Sequence, residues 1–137
     1  MRLCKNKAFT LTEIIIVLAI IAIVVGLAVP GYFRTVEQSR SNEARTNLNI
    51  IHMGEKIYRI NNGVFVAGAA INALNTSLNT DMSATFYDTV SVTINGGTSY
   101  TARLTRNTTS GGAGTKWFQY DFTNGNAAPV LTEGGAY

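Results

Sequence analysis

Twenty consecutive residues, 14–33, carry no charge, and a single carboxylate, Glu13, stands at the front edge of that run. Rich in Ile, Val, Leu and Ala, the run has the length a helix needs to cross the hydrocarbon core of a bilayer. An ionised side chain at membrane depth is costly unless it faces a partner, so Glu13 marks a functional contact. Ahead of it, residues 1–8 bring Arg2, Lys5 and Lys7. By the positive-inside rule this basic leader holds the N-terminus in the cytoplasm and sends the rest of the chain outward. An ordinary secretory signal is cut after its apolar region, which would discard Glu13 and the whole run.

The junction reads Ala8-Phe9-Thr10-Leu11-Thr12-Glu13, and it resembles the cleavage motif of type IV pilins and type II secretion pseudopilins. In that family a prepilin peptidase cuts on the cytoplasmic side, between a small residue and a phenylalanine, and the apolar segment becomes the start of the mature chain. The resemblance puts the cut between Ala8 and Phe9, makes Phe9 the N-methylated first residue and identifies Glu13 as the family's glutamate. Ala8 stands where the family usually has glycine. Pro30 and Tyr32 fall where the family commonly has a proline and a tyrosine. The match is confined to the N-terminal part of the chain, and beyond Tyr58 no residue identifies a subfamily.

What the resemblance implies is a structural protein: a type IV pilus subunit that polymerises through its apolar N-terminal helix into an extracellular helical filament. Its partners would be further copies of itself, the prepilin peptidase and the inner-membrane assembly machinery. Before assembly it would be a single-pass protein of the inner membrane. A neighbour's N-terminal ammonium at Phe9 is the expected counter-charge for Glu13, setting the register of subunits as they leave the membrane. Two alternatives remain open. A pseudopilin of a type II secretion system has the same fold, and a membrane-anchored module binding carbohydrate or DNA would keep its signal anchor uncleaved.

Composition narrows the partners once the leader is set aside. Against 8 Asp plus Glu the chain has 11 Lys plus Arg, and the excess of +3 is accounted for by Arg2, Lys5 and Lys7. The remainder is neutral, so nucleic acid is not indicated, although Arg103, Arg106 and Lys116 could form a local basic patch. The single cysteine, Cys4, also lies in the leader, so the head is expected to be held by packing rather than by disulfides.

From Thr10 to about Ile60 the only strong helix breaker is Pro30, which predicts one long spine helix in two halves, kinked or locally opened near Gly26 and Pro30. In its outer half Ala44, Leu48, Ile51 and Tyr58 recur at helical spacing, widened by Ile50, Met53, Ile57 and Ile60. Arg34, Glu37, Arg40, Glu43, Arg45, Lys56 and Arg59 are expected on the opposite side, with Glu55 and Arg59 spaced as an i,i+4 pair. A loop with a short helical turn near residues 69–74 follows. Val90, Val92 and Ile94 then alternate as a strand, Asn95-Gly96 offers a turn, and Tyr100, Ala102 and Leu104 alternate on the return. A third strand is expected at 116–122 and a short fourth around Val130. The fold class is therefore α+β and pilin-like: a long N-terminal helix whose outer half packs on a small antiparallel sheet of 3–4 strands. Three segments result: a cleaved leader at 1–8, a transmembrane and polymerisation half at 9–33, and the outer helix half with its head at 34–137.

Catalysis finds little foothold, and no cofactor is expected. His52 is the only histidine and is read as solvated or interfacial, not as a general base. With one histidine and no cysteine outside the leader, no metal site is assigned. Asp121 and Glu133 alone are too few oxygens for calcium. Residues 111–116 lack the glycine spacing and the strand-to-helix context of a phosphate loop. Asn75-Thr76-Ser77 and Asn107-Thr108-Thr109 match the N-glycosylation pattern, with an unmodified polar surface the favoured reading.

Overall fold

Thr10 starts the first helix. In the computed structural model, which describes residues 9–107, 116–123 and 128–135, the Glu13 amide lies 3.2 Å from Thr10 Oγ1, and the Glu13 and Ile14 amides donate to the Thr10 carbonyl. A threonine cap with glutamate three residues on is a helix start signal, and the carboxylate suits the positive end of the helix dipole. The leader with Cys4 and Ala8, the glycine-containing stretch 111–114 and most of the 111–116 sequence lie outside the described residues.

The helix that follows, α1, runs over Leu11–Asn62 and contains Pro30. Proline supplies no amide hydrogen for the Gly26 carbonyl, yet the helix continues unbroken through both positions. By its internal contacts the chain divides into two units, Met1–Gln38 and Ser39–Tyr137. In the described part of the first, residues 9–35 are all exposed. The large apolar side chains of 14–33 range from 42% exposed at Val29 to 79% at Leu27. This stretch is long and apolar enough to cross a membrane.

The second unit combines the C-terminal half of α1 with a short helix, α2 (Ile71–Leu78), and four strands, β1 (Thr89–Asn95), β2 (Ser99–Thr105), β3 (Trp117–Thr123) and β4 (Val130–Gly134). The strands form one antiparallel sheet in sequence order. Alternation decides which side faces in: Val90, Val92, Tyr100, Ala102, Leu104, Phe118, Tyr120 and Phe122 are buried with Ala44, Leu48 and Ile51 of α1. Leu74 and Leu78 of α2 and Phe65 close the same core. At Gly54 a side chain would meet Leu78 and Thr80 at 3.0–3.1 Å, so this glycine lets the end of α2 approach α1.

Three local expectations are corrected. The hairpin turn takes its positive φ at Gly96 (66°) and Gly97 (76°), while Asn95 stays in register opposite Ser99, because two adjacent glycines bear that geometry most cheaply. The helical turn near 69–74 is the longer α2, ended by Asn79 in the left-handed conformation. Of the apolar stripe on α1, Met53, Ile57 and Ile60 are 60%, 60% and 82% exposed; the sheet is narrower than the stripe and covers only the Ala44, Leu48 and Ile51 side. Leu48→Ala is therefore expected to lower the head's unfolding free energy by about 2–5 kcal/mol. Ile60→Ala should change it by less than about 0.5 kcal/mol. Denaturant unfolding of the full chain in detergent micelles checks this, and equal costs would contradict the assigned packing.

Candidate functional site

At the N-terminal end of the described chain, Phe9 is 74% exposed and Glu13 is exposed in the first turn of α1. Among the described residues Glu13 forms no ion pair within its own chain. Its backbone is fixed by Thr10, while its carboxylate faces outward from a surface of apolar side chains. This arrangement offers a charge and an apolar helix to an outside partner.

The outer half of α1 uses its polar side chains differently from the expected solvated face. Glu43 Oε1 accepts from the amides of Thr85 at 2.7 Å, Phe86 at 2.9 Å and Tyr87 at 3.4 Å. Asn47 donates to the Ser83 carbonyl at 2.7 Å, and Asn49 Oδ1 accepts from the Tyr120 hydroxyl at 2.8 Å. His52 is buried, with Nδ1 and the Tyr100 phenol oxygen 2.7 Å apart. Glu55 is fully buried, and its Oε2 accepts from the Val66 amide at 3.0 Å. The expected Glu55–Arg59 pair is replaced: Arg59 lies over the Phe65 ring, 4.7 Å from its centre. Glu43, Asn47 and Glu55 thus satisfy backbone donors and acceptors of loops lying against the helix, while Asn49 and His52 engage tyrosine hydroxyls of the sheet. Burial pushes the Glu55 carboxyl up to about 7 against the lowering effect of the Val66 amide. Burial, reinforced by nearby Lys56, holds His52 below its ordinary value, and burial with Glu55 nearby raises the Tyr100 phenol.

Comparison with known proteins bears on the first of these two regions. Residues 3–29 match the family described as the prokaryotic N-terminal methylation motif. The type IV major pilin protein PilA of Myxococcus xanthus (strain DK1622) is 37% identical over 54 residues, covering 39% of this chain and 24% of that protein. Over its N-terminal part the chain is similar to type IV pilins. It spans about a quarter of the length of this curated relative, as the 24% coverage states. No solved structure matches.

Elsewhere in the chain the remaining candidates are separated or occupied. Asp121 lies on the outer face of the sheet, held by Gln119 and Thr101. Glu133 pairs with Phe118 in register on the inner face and makes a 2.9 Å salt bridge to Arg45. The two acids therefore point to opposite sides, and among the described residues no cluster of three potential metal ligands occurs. Arg103 stacks on Trp117 at 4.1 Å on the outer face, whereas Arg106 and Lys116 are buried, so these cations do not form one patch. Lys116 donates to Ser41 at 3.3 Å.

Both glycosylation candidates have engaged amides. Asn75 donates to the Met82 carbonyl at 3.1 Å and accepts from the Met82 amide at 2.9 Å and the Thr80 hydroxyl at 3.2 Å. Asn107 donates to Asp88 at 2.6 Å. The amide that glycosylation would modify at Asn75 holds a loop. Peptide mass analysis of the chain from its native envelope is expected to find Asn75 unmodified, and a glycan there would contradict the structure of that loop.

Proposed function

We propose that this protein is the structural subunit of a type IV pilus. Prepilin peptidase cuts it between Ala8 and Phe9, Phe9 is N-methylated, and copies polymerise through residues 9–33 into an extracellular helical filament. The observation that carries the reading is a helix exposed over 14–33 that starts at Glu13, a carboxylate with no ion pair among the described residues, with the methylation motif matched over residues 3–29. Such a surface is stable in lipid before assembly, or against equivalent helices after it.

Within that reading the segments have separate roles. The leader at 1–8 fixes orientation and is removed; residues 9–33 hold the precursor in the inner membrane and later pack in the filament; residues 34–137 supply the outer helix half and the head. Glu13 binds the N-terminal ammonium of a neighbouring Phe9 and sets the axial register. Breaking such a buried pair costs about 3–5 kcal/mol. Gly26 and Pro30 are where the helix opens in the assembled state, since proline already leaves one carbonyl without its helical donor. The buried polar side chains of the outer helix half support a head that is held by packing and loop anchors.

The test is the intact mass of the chain from sheared extracellular filaments. The expected mass lacks residues 1–8 and carries one added methyl group at Phe9. A full-length chain found only in the membrane fraction would overturn this reading in favour of an anchored binding module.

A further inference from the structure

Between α1 and α2, residues 63–70 form a strap across one end of the head. Phe65 is buried in the aromatic cluster, with ring centres 5.0 Å from Tyr100 and 5.9 Å from Phe122. Gly68 exchanges two backbone hydrogen bonds with Val92, at 3.2 and 2.7 Å, and so covers part of the outer edge of β1. Between these two anchors, the Val66 amide donates to Glu55 Oε2. The other oxygen, Oε1, is buried with no hydrogen-bond partner.

That lone oxygen makes the strap sensitive to protons. A neutral carboxylic acid can sit in an apolar pocket with one bond at modest cost, whereas a carboxylate with an unsolvated oxygen cannot. The groups facing the pocket supply no compensation. From α1 they are His52, Lys56 and Arg59; Arg59 is turned to Phe65 and Lys56 is exposed. Tyr100 comes from β2 and Tyr120 from β3, and the Tyr120 hydroxyl is committed to Asn49. The strap and α2 carry no charged residue among 63–78. Water reaches Oε1 most directly if the strap lifts.

We infer that residues 63–70 are a proton-held strap: neutral Glu55 keeps it seated, and ionisation of Glu55 releases it, uncovering Phe65 and the outer edge of β1. The sign follows from linkage. The carboxyl titrates at about 7 when the strap is seated, above the ordinary 4.5, so closure is favoured fully below the ordinary value and the advantage is lost as pH rises through about 7. His52 contributes with the opposite sign, because its neutral form is favoured in the closed head.

Amide hydrogen exchange on the full chain in detergent micelles tests this, with rates corrected for intrinsic chemistry. Opening at Val66, Gly68 and Val92, measured against the amides of the central strand β2, should increase between about pH 5.5 and pH 8.5, by about thirtyfold from Glu55 alone less the opposing share of His52. In Glu55→Gln this increase should vanish while the share due to His52 remains. Strap amides that track β2 at every pH would overturn the inference, as would an unchanged pH response in the variant. If Glu55→Gln does not fold, the wild-type series against its own β2 amides still decides, since only a local opening separates the two sets.

Discussion

Residues 14–33 present exposed apolar side chains around the circumference of α1, and the described residues do not cover them. At about 25 cal/mol per Å² of apolar surface left in water, such a helix has no stable aqueous state. It needs a bilayer or other helices like it. Glu13 gains meaning from this constraint: in an apolar surrounding a carboxylate is tolerated only beside a counter-charge, and the described chain does not place one there. Membrane residence, assembly and register thus come from one stretch of sequence in the proposed pilus.

The head answers a different physical demand. Four strands, α2 and part of α1 make a small core, and with Cys4 the only cysteine no disulfide within the chain supports it. Polar side chains of α1 take over part of that task. Glu43 gathers three consecutive backbone amides at the start of the sheet region, Asn47 fixes Ser83, and Asn49 holds Tyr120. Hydrogen bonds to a charged acceptor are worth about 1.5–3 kcal/mol each, more than neutral ones. Loops without regular structure are thereby tied to the most rigid element nearby. Glu55 does the same with a single bond, leaving one oxygen unsatisfied.

Much of this was legible in the sequence where a strict period or a backbone constraint left one solution. The uncharged run, the helix start near Thr10, the alternation of Val90, Val92 and Ile94 against Tyr100, Ala102 and Leu104, and the third strand all appear in the structure. Periodicity was misleading where a residue's partner is distant. Glu43 read as a solvated charge and Glu55 as the partner of Arg59, because nothing local says that loop amides 42 and 11 residues on will come to them. Met53, Ile57 and Ile60 read as core because helical spacing gives the direction of a face but not the width of the sheet that covers it. His52 read as solvated or interfacial, and it is instead buried within its own head beside Tyr100. Of the candidate site, the motif at Phe9 and Glu13 was plain, while its chemistry depends on a second molecule.

The central claim is that the lone carboxylate of an exposed apolar helix is completed by another copy. The most direct measurement is the yield of sheared filaments from cells carrying Glu13→Ala, at a level of membrane precursor matched to wild type. The account predicts that the variant is inserted in the membrane and yields little or no filament. Filaments at the wild-type yield would contradict it.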